Sequence, residues 1–282
     1  MRKGIQFMLI SSFSFSLMQL CVKMLSHLPV VELVFFRSLV SLVLSLVILQ
    51  RARVNPFGNN KRYLILRGIF GVAALSLFFF TLQALPIATA VLIQYLSPMF
   101  TALFAIWILK EPMKPVQWLF FALAFAGIMV IKGFDDDVEL IYLIAGILSS
   151  VFAGLAYNMI RKVKNTDHPV VVVFYFPLIA TPIMGIATAF NWVMPQLTDW
   201  LLILAMGVFT QIAQVYMTKA WQGNEANQIA GLKYVGVFFA LFWDFTLFGI
   251  SHGWATFIGI ALVISGVVFN LLVKNKKQVS SS

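Results

Sequence analysis

Ten apolar stretches, separated by short polar loops, take up almost the whole chain. A run of about 20 mostly apolar residues is long enough to cross a bilayer as a helix. The pattern therefore predicts an all-α integral membrane protein with ten transmembrane helices. We place the spans at residues 5–26, 30–50, 63–83, 87–109, 115–132, 139–161, 169–191, 198–220, 227–248 and 253–273.

The five-span pattern occurs twice. A shift of 139 residues aligns three spans without a gap and superimposes Phe70 on Phe209, Tyr95 on Tyr234 and Gly127 on Gly266. Because five is odd, the second copy would enter the membrane upside down relative to the first. The sequence thus predicts two inverted five-helix repeats, residues 1–133 and 139–274, and a cytoplasmic tail, residues 275–282. Inverted repeats around a shared midplane are typical of secondary transporters.

Composition agrees with a membrane protein. The 282 residues are 61% hydrophobic and 11% charged, whereas a soluble domain has about 25% charged residues. The single cysteine, Cys21, lies inside the first span and offers neither a disulfide nor a metal cluster. We find no phosphate loop, no metal-ligand cluster and no nucleophile beside a base. We therefore expect no cofactor and no enzyme activity.

Charges outside the spans predict the orientation. Fourteen Lys and Arg residues fall on the side of the N terminus, and only Lys132 falls in the opposite loops. By the positive-inside rule both termini are cytoplasmic, and we expect a bacterial inner membrane as the location. This topology accounts for the net charge of +10, so the charge gives no reason to expect a nucleic-acid partner.

Charges inside the spans indicate an electropositive interior. Two acids, Glu32 and Asp244, lie at membrane depth with five cations, Lys23, Arg37, Arg67, Lys219 and Lys233. Charged residues in spans are costly and normally face a bundle interior or an aqueous cavity. The excess of cations favours an anionic or amino-acid-like substrate.

Polar positions near the midplane are the predicted substrate contacts. Gln94-Tyr95 aligns with Lys233-Tyr234, each roughly 10 Å from opposite faces, and transporters of this kind bind substrate at such a repeat interface. A glutamine or tyrosine there could instead join helices by hydrogen bonds. Arg37 could bind a carboxylate or a phosphate bidentately, or pair with Glu32 as a gate or structural bridge. A polar stripe in the eighth span adds Gln211, Gln214 and Tyr216.

A second group of residues is predicted to act in gating or coupling. Glu32 and Asp244 could carry protons or only neutralise neighbouring cations. Lys23 and Arg67, near span ends, are more often anchors that reach the headgroups, and Lys219 fits either role. Asn158 is placed at the inner mouth. Pro98, Pro177 and Pro182 are expected to kink the fourth and seventh spans, and Pro98 with Ser97 could form a hinge.

Several segments resemble the drug/metabolite transporter superfamily, specifically its EamA-type members. They are residues 32–37 (ELVFFR), residues 84–98 (ALPIATAVLIQYLSP), residues 109–112 (LKEP) and Gly127. The resemblance implies ten helices in two inverted repeats, a central cavity lined mainly by helices other than the fifth and tenth, and small-molecule transport, often export. One departure is that Glu111 aligns with Ile250, so that family acid has no counterpart in the second half.

The sequence therefore predicts a secondary active, exchange or uniport carrier of a small polar metabolite that works by alternating access. An exporter of amphipathic or cationic drugs is the alternative within the class, although few buried acids argue against cations. A membrane-embedded enzyme, a scaffold or a channel are the alternatives outside it. Membrane lipids are the expected surroundings, and a homodimer is left open.

Overall fold

The computed structural model describes the backbone of residues 2–111, 113–134, 139–223 and 234–279. Side chains are described for residues 4–111, 113–131, 139–217 and 234–269. The helices are α1 Arg2–Met24, α2 Val30–Ala52, α3 Lys61–Ala84, α4 Ile87–Gln94, α5 Ser97–Ile108, α6 Pro115–Phe134, α7 Leu140–Val163, α8 Pro169–Phe190, α9 Leu197–Gly223, α10 Val235–Phe248 and α11 Trp254–Val279.

These helices confirm the ten predicted spans. In the described residues seven helical stretches are long and apolar enough to cross a membrane, with α4 and α5 together forming one of them, Ile87–Ile108. Three shorter apolar stretches, in α6, α10 and α11, supply the rest. The orientation of the termini stays a prediction. We call the end of the bundle that holds residues 24–30, 84–87 and 190–197 the outer end, following the predicted topology.

The fourth span is broken rather than continuous. Regular helix stops at Gln94 and resumes at Ser97, with Tyr95 and Leu96 in a turn between α4 and α5. Pro98 explains the position, because a proline ring collides with the carbonyl four residues earlier, here that of Gln94. The kink expected at Pro98 is therefore present, about one turn before the proline itself.

Helix packing follows a pseudo-twofold axis. The main pairs join one repeat to the other: α1 packs on α9, α3 on α7, α2 on α8, α4 on α10 and α6 on α11. A rotation about this axis that superimposes each repeat on the other places the α1–α9 pair on the α7–α3 pair. The same rotation places each of the pairs α2–α8, α4–α10 and α6–α11 on itself. The chain thus has the predicted two-repeat fold, and no helix pair of this set lies within one repeat.

Equivalent atoms make equivalent contacts across this axis. Ser11 Oγ donates to the carbonyl of Ala213 at 2.9 Å, and Ser149 Oγ lies 2.7 Å from the carbonyl of Ala74. The two bonds exchange when the repeats are exchanged, since Ser11 aligns with Ser149 and Ala74 with Ala213. On the axis itself, the Tyr95 and Tyr234 rings meet edge to face with centroids 5.0 Å apart.

Candidate functional site

A cavity of about 120 Å³ lies in the middle of the bundle. Its walls come from both repeats, which is where a carrier of this architecture binds its substrate. The polar lining residues are Arg37, Arg67, Gln94, Tyr157 and Gln214, and the apolar ones are Gly71, Ala74, Leu75, Phe78, Ala153, Ala156, Ile160 and Phe176. Of the predicted substrate contacts, the structure therefore brings Arg37, Gln94 and Gln214 to one site.

Arg37 is almost fully buried in this wall, with 4% of its surface exposed. Its Nε donates to Thr210 Oγ1 at 3.1 Å, which ties α2 to α9. The guanidinium carbon lies 5.4 Å from the centre of the Phe176 ring and 5.8 Å from that of Phe79. Nη1 is buried and has no hydrogen-bond partner, so its hydrogen-bonding capacity is unsatisfied in this structure.

The position of Arg67 in the structure differs from the position expected from the sequence. We expected a headgroup anchor, but the side chain is buried at 9% exposure and lines the cavity. Its guanidinium carbon lies 5.1 Å from the centre of Phe176, and its Nε has no hydrogen-bond partner. The missed signal is Gly71, one turn later, where a Cβ would lie 2.7 Å from Arg67 Nη1. The glycine leaves room for the arginine to turn inward.

Among the described side chains, no carboxylate compensates the positive charge of the two arginines. Within the described side chains neither forms an ion pair with a carboxylate. Glu32, the partner considered for Arg37, instead accepts a hydrogen bond from the backbone N–H of Val193 at 3.2 Å. An unpaired buried charge costs several kcal/mol, and contact with an aromatic face offsets only about 0.5–2 kcal/mol of that. This arrangement is suited to an anionic ligand.

Gln94 is held in place beside the arginines. Ser149 Oγ lies 2.7 Å from Gln94 Oε1 as well as 2.7 Å from the carbonyl of Ala74. A hydroxyl has one hydrogen, so Ser149 can donate to only one of these oxygens at a time. Its contact still fixes the amide at the cavity wall, where it can form a hydrogen bond with a polar group of a ligand.

Other predicted substrate contacts lie away from the cavity. Gln211 is bonded to serines of α2, with its Oε1 accepting from Ser41 at 2.8 Å. Tyr216 packs on the Phe7 ring of α1 at 5.5 Å. Tyr95 and Tyr234 form the pair on the pseudo-twofold axis. These contacts join helices, which is the alternative that the sequence left open. The side chains of Lys219 and Lys233 lie outside the described residues.

Three predicted gating residues cluster at the outer end. Lys23 donates to the carbonyls of Gln83 and Leu85 at 2.9 and 2.8 Å, which links α1 to the end of α3. Asp244 accepts the N–H groups of Ile87 and Ala88, each at 2.9 Å. Glu32 lies nearby through its bond to Val193. All three carry contacts between helices or loops rather than face the cavity.

A second set of polar contacts between helices lies near the predicted inner end and includes Asn158. Asn158 Nδ2 donates to the carbonyl of Thr101 at 3.0 Å, which holds α7 against α5. Near the same end Arg161 and Glu111 form an ion pair of 2.5 Å. The cavity is therefore bounded at both ends by polar contacts that conformational change could break. Asn158 itself does not line it.

A larger depression of about 530 Å³ lies at the outer end but lacks the chemistry of a substrate site. It is lined by Pro29, Val30, Val31, Phe190, Asn191, Trp192 and Val193. None of these side chains is charged, and the depression is open to the surface. The smaller cavity, by contrast, is lined by two buried arginines, Arg37 and Arg67, each with one nitrogen that has no hydrogen-bond partner.

Comparison with known proteins identifies the family of this chain. The EamA-like transporter family matches this chain twice, over residues 2–133 and 140–272. The chain belongs to the EamA-like transporter family. This membership confirms the resemblance noted from the sequence, and it confirms a membrane transporter rather than an enzyme. Together with the apolar helices it also confirms an integral membrane protein and supports the inner membrane as its location.

Relatives within the EamA-like family include bacterial and human transporters. The pseudopaline exporter CntI of Pseudomonas aeruginosa is 31% identical over 268 residues, which cover 94% of each chain. Human solute carrier family 35 member G1 is 28% identical, over 94% of this chain and 78% of that one. A solved crystal structure matches with a TM-score of 0.67 over 97% of this chain and 98% of that one; at 16% identity it shows the fold alone.

Proposed function

We propose that this chain is a secondary transporter that carries a small organic anion through the membrane by alternating access, in the direction of export. The anionic substrate is inferred from Arg37 and Arg67. Both are buried in the central cavity, and neither has a carboxylate partner among the described residues. A ligand that supplies negative charge there removes the cost of the unpaired cations. An amino-acid-like substrate would satisfy the same site through its carboxylate.

The direction of transport is inferred from related proteins rather than from the residues of the cavity. The Pseudomonas aeruginosa relative is an exporter by name and aligns over 94% of both chains. The cavity argues against the alternative of cationic drugs, because its described lining contains two arginines and no acid. A cation would add a third charge of the same sign at membrane depth.

The test is counterflow of organic acids in proteoliposomes. We expect uptake that saturates with concentration, since each transport cycle moves a bound substrate. Arg37→Gln and Arg67→Gln should each lower affinity about 10- to 100-fold, because a hydrogen bond to a charged group is worth about 1.5–3 kcal/mol. Arg51→Gln is the matched control for Arg37, because Arg51 is on the same helix and exposed.

Two results would contradict this proposal. Flux that rises linearly with concentration would point to a channel. Unchanged organic-acid transport in both cavity variants would remove the arginines from the substrate site.

A further inference from the structure

We propose that the cavity selects substrates with two anionic groups, one bound by Arg37 and the other by Arg67. This inference rests on the proposed anion transport and specifies its substrate class. A monoanion could satisfy the transport proposal but would use only one of the two arginines.

Charge balance is the first argument. Each guanidinium is at least nine-tenths buried, and neither forms an ion pair within the described side chains. The other polar groups in the lining, Gln94, Tyr157 and Gln214, are neutral amides and a phenol. A monoanion would leave one buried cation unpaired, at a cost of several kcal/mol. A dianion leaves none.

The unsatisfied N–H groups of the two arginines are the second argument. Arg37 uses its Nε for Thr210, whereas its buried Nη1, at the opposite end of the guanidinium, has no partner. The Nε of Arg67 is buried and has no partner, so its N–H group is unsatisfied. Arginine binds carboxylates through pairs of N–H groups on one edge. Each arginine thus has an unsatisfied N–H group of its own that an anionic group could bind.

The positions of the arginines are the third argument. Thr210 fastens Arg37 to α9, whereas Arg67 is on α3, which packs on α7 and α8. Both guanidinium carbons lie within 5.4 Å of the centre of the same Phe176 ring. The two guanidinium carbons are therefore at most 10.5 Å apart, the sum of their 5.4 Å and 5.1 Å distances to that ring centre, although the arginines belong to different helix pairs. A substrate with two anionic groups would connect them.

The experiment compares succinate, glutarate and adipate with the half-amide of each acid. A half-amide has nearly the same size and shape but only one negative charge. Binding to the purified full-length protein is measured by thermal shift, because a ligand of the folded state raises the melting temperature with concentration. We expect the best dicarboxylate to bind about tenfold or more tightly than its half-amide.

Variants assign the second charge to Arg67. Arg67→Gln should weaken dicarboxylate binding to the level of the half-amide while changing half-amide binding much less. Arg62→Gln, an exposed position on the same helix, should keep the wild-type preference. Arg67→Lys retains the charge without the planar fork and should retain a reduced preference, which tests the idea even if the glutamine variant does not fold.

The results separate this inference from the proposed function. Equal affinity for a dicarboxylate and its half-amide would contradict the selection of substrates with two anionic groups, but it would not contradict anion transport. A protein that responds to none of these acids, but binds neutral or cationic metabolites, would overturn both. A preference for dicarboxylates that survives Arg67→Gln would overturn the assignment to Arg67.

Discussion

Gly127 and Gly266 occupy equivalent positions where α6 crosses α11. A Cβ at Gly127 would lie 2.7 Å from the carbonyl oxygen of Gly259, and one at Gly266 would lie 2.6 Å from that of Phe120. Both obstacles are backbone atoms, which cannot rotate away. The alignment of these glycines in the sequence therefore has a physical cause, because small residues let membrane helices approach closely.

Gly127→Ala should destabilise the protein by about 1–3 kcal/mol, the usual cost of overpacking a well-packed contact. Thermal unfolding in detergent would measure this as a lower melting temperature. Gly253→Ala is the control, because a Cβ there would have no neighbour within 4 Å. Equal melting temperatures for both variants would show that α6 and α11 can move apart without cost.

The sequence predicted the kinds of residue in the site better than their positions. Arg37 was predicted from a charge at membrane depth, and depth follows from counting along a helix. Arg67 is nearer a span end, and its inward direction depends on the space beside Gly71 and on the Phe176 ring contributed by the other repeat. Gln211 was predicted in a polar stripe, but Ser41 of α2 binds it. Contacts between distant segments are not visible in the local pattern.

Asp244 acts as a clamp between two helices at the outer end. Its carboxylate, near the end of α10, accepts the first two N–H groups of α4. These groups have no partner inside their own helix, and the positive end of the helix dipole favours a negative charge. His252 Nε2 lies 3.0 Å from the same carboxylate. Opening of the outer end between α4 and α10 would have to break these bonds.

Asp244→Asn should loosen this clamp, because the amide is uncharged and keeps only one acceptor oxygen. Cys21, the single cysteine, is buried with Ile87 of α4 in the same apolar cluster. We therefore expect a maleimide to modify Cys21 several-fold faster in this variant than in the wild type. Glu139→Gln, at an exposed carboxylate before α7, is the control. An unchanged rate in Asp244→Asn would mean that the clamp does not hold α4 closed.

Helix existence was predictable because membrane-spanning runs are long and apolar. In the described residues, the predicted spans other than the fourth and ninth differ from the helices only at their ends, and residues 227–233 of the ninth span lie outside the described part. The exception is the fourth span, where the apolar run passes without interruption from 87 to 109 although the helix breaks at Tyr95 and Leu96. The hydrophobic pattern does not predict such a break in the helix, whereas the presence of Pro98 does. The pairing of helices across the repeats was not predicted, because it depends on packing between segments far apart in the chain.

At the scale of the whole molecule, the repeats are not the bodies that would move. The close pairs α1–α9 and α3–α7 each combine one helix from either repeat. In each pair a serine hydroxyl lies within hydrogen-bond distance of a carbonyl of the other helix. Arg37 is fastened to α9 and Arg67 is on α3, so the cavity lies between the pairs. Alternating access should therefore move the α1–α9 pair against the α3–α7 pair rather than one repeat against the other.

Spin labels at three exposed positions distinguish these motions: Met24 on α1, Phe80 on α3 and Leu197 on α9. With Cys21 replaced by serine, we expect the distance between labels at 24 and 197 to stay constant. The distance between labels at 24 and 80 should change on addition of a bound dicarboxylate or in Asp244→Asn, because Lys23 holds α1 to the end of α3 only while the outer end is closed. Rigid repeats would give the reverse result, since positions 24 and 80 lie in one repeat and position 197 in the other.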